Sequence, residues 1–401
     1  MTWREAEPAA RTGAPADVIV ATHYWSPGWA SALDEYLRAK PVRYRWIGHP
    51  LFADGSPASY RLHSRGEQLR SFAAIGRRSP LRHLADVVRT VRWSRQDGPA
   101  DLFIAGDNLI ALAGLWLRRR GHVRAVVLYS IDFVPRRFGN PLANALYHAI
   151  DRFAVERADA VWNTSQGVIE GRAERDKGLP GTPQLVVPIG ADAARLRGLD
   201  GGARGRTIAY LGHLLEKQGL QVVVEALPAV LGRFPDARLL VIGDGPHRAE
   251  LERRAAQLEV SAAIEIAGFS DDHHEIEARL LACSIGVAPY VPGEGNYSRF
   301  QELPGKIVTY LACGLAVLTT EVPLGGRRLE EAGAGHVVEY SSAAFAEAIC
   351  AYFEEPDRLR RAGTSATAMG AAYEWSAIFD RAFAETARLV ADPGSRPREV
   401  G

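Results

Sequence analysis

Cysteine is scarce in this chain of 401 residues. The three present, Cys283, Cys313 and Cys350, stand in apolar surroundings and none has metal-site spacing. Their odd number suits a reducing compartment and excludes a disulfide framework. Long hydrophobic runs are lacking as well: no uncharged stretch approaches the ~20 residues a membrane-spanning helix needs. The N-terminus has no basic-then-apolar pattern, so the expectation is a cytoplasmic protein. No short-period repeat is visible, which excludes a solenoid or propeller. What is there is ordinary for globular domains: 47% hydrophobic and 24% charged residues, in a length that points to two or three domains.

Net charge is also nearly absent, at +1, but it is unevenly spread. Residues 61–124 hold thirteen arginines against five acids, a surplus of eight that leaves the remainder at −7. A field concentrated on part of one domain points to an anionic partner. Within it, 81–95 reads as an amphipathic helix, with Leu81, Leu84, Val88 and Val91 on the buried face and Arg82, Arg89 and Arg92 turned away from it. The expectation is that these three arginines face an anionic membrane at the inner side of the cell. No nucleic-acid motif accompanies the charge.

Along the chain, 1–16 reads as a loose tail. Short apolar runs then alternate with helical patterns: strands at 17–22, 42–47, 101–105, 124–129, 160–163 and 184–187, with 48–80 taken as loop containing one helix. Residues 189–205 are glycine-rich and poor in apolar residues, a linker between 17–188 and 206–372. The alternation restarts at Thr207. Residues 373–401 read as a helix crossing back to the first domain, then a tail. Strand–helix alternation in both halves predicts α/β architecture with two parallel, doubly wound sheets. Such sheets bind ligands beyond the carboxyl ends of their strands, in a cleft between the halves.

The second half contains LPGKIVTYLACGLAVLTT, residues 303–320. It reads as a helix stopped by Gly314 and followed by a buried strand. Lys306 stands in the first turn, where the helix dipole disfavours a cation unless an anion sits on that terminus.

Four segments, YLGHLLEKQGL, LLVIGDGP, IEIAGFSDD and PGKIVTYLACGLAVLTT, occur in order within 207–320. Together they resemble the nucleotide-sugar glycosyltransferases with two Rossmann-like domains, the GT-B fold, most closely family 4. The first half resembles the family in SPG after the first strand and in a strand–SIDFVP–long helix pattern. The resemblance implies a donor site on the second domain. Lys217 matches the lysine that binds the donor diphosphate, and His213 stands where the family has an arginine, which weakens the clamp at neutral pH. Gly268 and Phe269 match the nucleobase contact, and Gly28 the glycine that approaches the diphosphate from the first domain. The family's glutamate pair is absent in register: Gln301 and Thr309 occupy its positions, and the literal match at Glu294 and Glu302 is out of register with the helix. Lys306 matches a lysine of related enzymes lacking the full pair. This departure leaves the donor and the anomeric outcome open.

Asp132, in the loop after a first-domain strand, is the candidate base for an acceptor hydroxyl. Its bland reading is a turn aspartate or a partner of Arg136. His23, Tyr24 and Trp25 in the first loop are candidate acceptor contacts, set against ordinary loop packing. His273 and His274 beside Asp271 and Asp272 read as a helix start and not as a metal site. The reading is a polysaccharide-type glycosyltransferase moving a sugar from a nucleotide diphosphate to a glycan or lipid-linked acceptor, without metal or other cofactor. The rivals are a GT-B nucleotide-sugar epimerase and a non-catalytic sugar-nucleotide-binding subunit.

Overall fold

The computed structural model describes residues 15–24, 28–50, 59–63, 68–72, 81–131, 133–178, 180–197 and 205–391. In the first half the strands are β1 (Asp17–Tyr24), β2 (Arg43–Pro50), β3 (Ser59–His63), β4 (Gln68–Phe72), β5 (Ala100–Ala105), β6 (Val123–Ser130), β7 (Ala160–Asn163) and β8 (Gln184–Val186). They form one sheet in the order β4-β3-β2-β1-β5-β6-β7-β8. The six strands other than β3 and β4 pair in parallel. Runs such as Leu102–Ala105 and Ala125–Leu128 are covered on both faces, which is why they carry no polar alternation.

The second half contributes β9 (Thr207–Leu211), β10 (Arg238–Ile242), β11 (Ile264–Gly268), β12 (Ile285–Ala288), β13 (Ala316–Thr319) and β14 (Gly335–Val337). Their order is β11-β10-β9-β12-β13-β14, all parallel. Two α/β layers of this kind are the two-domain fold expected from the sequence.

The halves share one apolar core. Val187, Ala191, Ala193 and Leu196 join Tyr44 and Trp162 of the first sheet to Ile307 and Leu311 of the second domain's helix Gly305–Ala312. The last helix, Trp375–Ala391, lies against the first domain. There the Trp162 Nε1 donates to Thr386 Oγ1 at 2.9 Å, and the Tyr36 hydroxyl donates to Asp380 at 2.7 Å. Phe383 packs between the Tyr36 and Trp162 rings at 5.6 and 5.3 Å.

Two expectations fail. Within 48–80 the structure has an antiparallel extension, β2 to β3 to β4, in place of a loop with one helix. Tyr60 and Leu62 tuck partly against the core from this hairpin, so two apolar contacts at period two hold a stretch otherwise polar. The helix Leu81–Gln96 forms, but rotated from the expected orientation. Arg82 is buried at 7% exposure and donates to the Pro50 carbonyl. Arg89 is half-buried and donates to Asp86 at 2.6 Å and to Ser59 Oγ at 3.1 Å. Of the three proposed membrane arginines only Arg92 is exposed. Leu84 and Val88 instead face outward, 57% and 67% exposed. The cause is a polar interior: beneath the helix Asp86 faces His23 and His49, Thr90 hydrogen-bonds His49, Arg89 donates to Ser59 and Arg82 to the Pro50 carbonyl. Leaving those buried groups unpaired would cost more than exposing two aliphatic side chains.

Candidate functional site

The carboxyl ends of both sheets face one another, and between them lies a cavity of about 210 Å³. Ile131, Phe133, Val134 and Val168 line it from the first domain, and Lys217, Gln218, Asn296, Tyr297, Phe300 and Gln301 from the second. Lys217 sits in the 3₁₀ turn Glu216–Gln218 that follows β9. Gly219 then takes φ +80°, and a Cβ there would stand 1.6 Å from the Pro289 carbonyl oxygen, so only glycine fits. The Asn296 Nδ2 donates to the Lys217 carbonyl at 2.8 Å and to that of Val291 at 3.0 Å, tying the lysine's turn to the loop after β12. The ammonium of Lys217 rests 5.0 Å from the Tyr297 ring centroid.

Lys306 stands in the first turn of the helix Gly305–Ala312, whose N-terminus has no side-chain cap. Its Nζ donates to Gln218 Oε1 at 2.8 Å and lies 4.3 Å from the Tyr210 ring centroid. Burial pushes its pKa down to about 7, because a low-dielectric surrounding penalises the ammonium. The backbone close by is built for tight approach. Gly243 has φ +151°, and a Cβ on it would meet the Gly212 carbonyl oxygen at 1.9 Å. Both lysines thus converge on the turn Glu216–Gln218, one directly and one through Gln218. His213 is adjacent, and its pKa is lowered by burial and then by the Lys306 charge, against a hydrogen bond involving Asp244. It is therefore neutral at pH 7 and adds no third cation.

The other expected donor residues are spread around this centre. Gln301 lies on the cavity wall, its carbonyl accepting from Leu324 N at 3.0 Å. Thr309 donates its hydroxyl to the Gly305 carbonyl at 3.0 Å, which leaves only lone pairs to offer a ligand. Gly268 takes φ +83° at the end of β11, and Phe269 beside it is exposed. Gly28 opens the helix Gly28–Arg38 with φ +35° and nothing within 4 Å of a built Cβ.

Asp132 and Trp25 lie outside the described residues, although the neighbours of Asp132, Ile131 and Phe133, line the cavity. Tyr24 ends β1 opposite Pro50. The His23 side chain is turned inward, 4% exposed, with Nδ1 3.0 Å from Asp107 Oδ2 and Nε2 3.5 Å from Asp86 Oδ2. Burial opposes its charge, but the Asp107 carboxylate and then Asp86 prevail and raise its pKa to about 9. His49, more deeply set, is pushed down to about 3 by burial.

The sequence reading missed Gln218, Asn296, Tyr297 and Phe300. Gln218 ends the turn after β9, and the other three come from the loop after β12, which also bridges the domains. The Tyr297 hydroxyl donates to the Arg136 carbonyl at 2.9 Å, the Ser165 hydroxyl donates to the Phe300 carbonyl, and the Phe133 and Phe300 rings meet edge to face at 5.0 Å. The one sequence signal was the polar, aromatic run NYSRF, with Asn296 capping its own turn.

Two family models match. "Glycosyl transferases group 1" covers 205–355, and "Glycosyl transferase 4-like domain" covers 48–190. A phosphatidyl-myo-inositol mannosyltransferase of Mycobacterium tuberculosis is 29% identical over 208 residues, 49% of this chain and 52% of that protein. The chain thus spans about half the length of that relative. A GDP-mannose-dependent alpha-(1-6)-phosphatidylinositol dimannoside mannosyltransferase from the same species is 25% identical over 280 residues, 67% of this chain and 63% of that protein. In fold, the chain resembles Anabaena Alr3699/HepE, solved in complex with UDP, with a TM-score of 0.66, 18% identity, and coverage of 93% and 99% of the two chains. Two facing Rossmann-like domains, a paired-lysine turn between them and both family models agree: the chain belongs to the GT-B glycosyltransferases of the family 4-like group.

Proposed function

We propose that this protein transfers a hexose from a nucleotide diphosphate sugar to a glycan or lipid-linked acceptor. The observation that carries the reading is the convergence of Lys217 and Lys306 on one turn at the uncapped N-terminus of Gly305–Ala312. The Lys217 ammonium, a helix dipole and the Lys306 amine, which is held in place and charges fully as the anion arrives, stabilise charge developing on a departing diphosphate. In this role they replace a divalent cation, so transfer proceeds without metal at the diphosphate. Phe269, Gly268, Gln301 and Thr309 surround the nucleoside and sugar, and Gly28 approaches the diphosphate from the first domain. Asp132 takes the acceptor's proton. The test incubates the protein with UDP- and GDP-sugars, with and without phosphatidylinositol-type glycolipid, and measures nucleotide release and product. Acceptor-dependent release supports transfer. Release that is acceptor-independent with isomerised sugar indicates the epimerase, and binding without turnover the non-catalytic subunit.

The acceptor side meets a lipid surface through apolar side chains, and not through Arg82 and Arg89. Support comes from the helix Pro141–Arg157, where Leu142, Leu146 and Phe153 are exposed on one face, at 81%, 63% and 43%. Leu84 and Val88 stand exposed on Leu81–Gln96, and the helix Asn108–Arg119 packs between the two. Arg92, Arg137 and Arg157 are exposed on these helices or beside them. Scattered apolar side chains need no explanation, but an aligned stripe with a cationic rim fits an anionic bilayer. Co-sedimentation with vesicles rich in anionic lipid checks it. Leu142→Gln with Leu146→Gln should leave the protein in the supernatant, and undiminished pelleting of that variant would exclude this face.

A further inference from the structure

Beneath the helix Leu81–Gln96, and outside the lining of the cavity beside Lys217, three side chains from two elements point at one another: His23 at the end of β1, and His83 and Asp86 one turn apart on the helix. His23 Nε2 is 3.4 Å from His83 Nδ1 and 3.5 Å from Asp86 Oδ2. Both separations are longer than a good hydrogen bond. They do match the edge of a tetrahedron around zinc, which at metal–ligand distances of 2.0–2.1 Å is about 3.3–3.4 Å. All the candidate ligand atoms lie within 4.8 Å of one another. Asp86 is buried, and its Oδ2 has no hydrogen-bond partner, which is unusual for a carboxylate removed from water.

The surroundings are those of a metal site's outer layer. His23 Nδ1 is 3.0 Å from Asp107 Oδ2, which fixes the ring and leaves Nε2 pointing at the gap. Arg89 donates to Asp86 Oδ1 at 2.6 Å and so holds the carboxylate with Oδ2 turned toward His23, while Arg82 Nε stays 4.0 Å from that oxygen. His49 fills the wall behind, between Ser59 Oγ at 2.9 Å and Thr90 Oγ1 at 2.8 Å.

We propose that His23 Nε2, His83 Nδ1 and Asp86 Oδ2 bind a zinc-type divalent transition-metal ion. Two imidazoles and a carboxylate suit Zn²⁺ in preference to Mg²⁺ or Ca²⁺, which favour all-oxygen shells. Three protein ligands leave a fourth position for water. The ion lies at the carboxyl edge of the first sheet and joins β1 to the start of the helix Leu81–Gln96, so it sets one wall of the acceptor side. The proposal does not depend on the donor assignment.

The test uses the untagged full chain, stripped with chelator and dialysed against micromolar ZnCl₂ or CoCl₂. One equivalent should be retained, and Co²⁺ should give the intense visible absorption of a four-coordinate site. His83→Gln alters a half-exposed side chain, so its thermal unfolding without metal should match the wild type. It should weaken metal retention by at least about tenfold, as loss of a ligand does, while the control His274→Gln retains it. Failure of the wild type to hold zinc, or equal retention by His83→Gln, overturns the proposal and leaves His23 as a buried imidazolium between two aspartates.

Discussion

The two lysines differ in a way that makes them separable. Lys217 rests against Tyr297 at the cavity wall, whereas Lys306 is half-buried and its pKa is pushed down to about 7 by desolvation. Removal of either charge-assisted contact should weaken binding of the nucleoside diphosphate by about 10–150-fold, the equivalent of 1.5–3 kcal/mol. The pH dependence belongs to Lys306 alone. Below pH 7 its amine is already charged and binding requires no proton. Above pH 7 the free protein holds it neutral, and binding of the diphosphate must draw a proton from solvent onto the amine. Affinity for a sugar nucleotide should therefore fall as pH rises from about 7 to about 9, by up to about tenfold per unit. The profile should be flat in Lys306→Ala and preserved in Lys217→Ala, read by calorimetric titration across buffers. At Asp132, Asp132→Asn should lower turnover by about a hundredfold while leaving donor affinity unchanged. Retained turnover would remove that residue from proton transfer.

At the scale of elements, the donor turn depends on backbone no other residue tolerates. In Gly243→Ala a Cβ would enter the Gly212 carbonyl at φ +151°, so the variant should lose about 1–3 kcal/mol of stability and weaken donor binding with it. Chemical denaturation checks the first and titration the second. This is also the scale at which the sequence was most and least readable. The run around Lys306 was legible because glycine, helix period and an uncapped first turn all act within a dozen residues. Gln218 and Tyr297 were not, since Gln218 meets Lys306 from a loop 88 residues away in sequence and Tyr297 reaches across the cleft to the Arg136 carbonyl. The helix Leu81–Gln96 misled for a definite reason. An apolar stripe ordinarily marks the buried face, but its partner surface holds His23, His49 and Ser59, and Asp86, Arg89 and Thr90 turn in to meet them while Arg82 reaches the Pro50 carbonyl. The regular spacing of that polar stripe was the available clue.

Across the whole molecule, the loop after β12 and the helix Trp375–Ala391 couple the halves, the first at the cavity and the second behind it. Phe383→Ala empties a site between Tyr36 and Trp162 and should cost about 3–5 kcal/mol, visible as a lowered thermal midpoint. Tyr297→Phe removes only the hydrogen bond to the Arg136 carbonyl, so it should leave that midpoint nearly unchanged while loosening the domain contact. The central claim is that a nucleotide sugar's diphosphate is held between the domains by Lys217 and Lys306. Its most direct test is calorimetric titration of UDP and of GDP into the wild type and into Lys217→Ala with Lys306→Ala. The account predicts one site for at least one of the nucleotides in the wild type, and a loss of affinity of at least about tenfold in the double variant. Equal affinity in both proteins, or no binding of either nucleotide by the wild type, would contradict it.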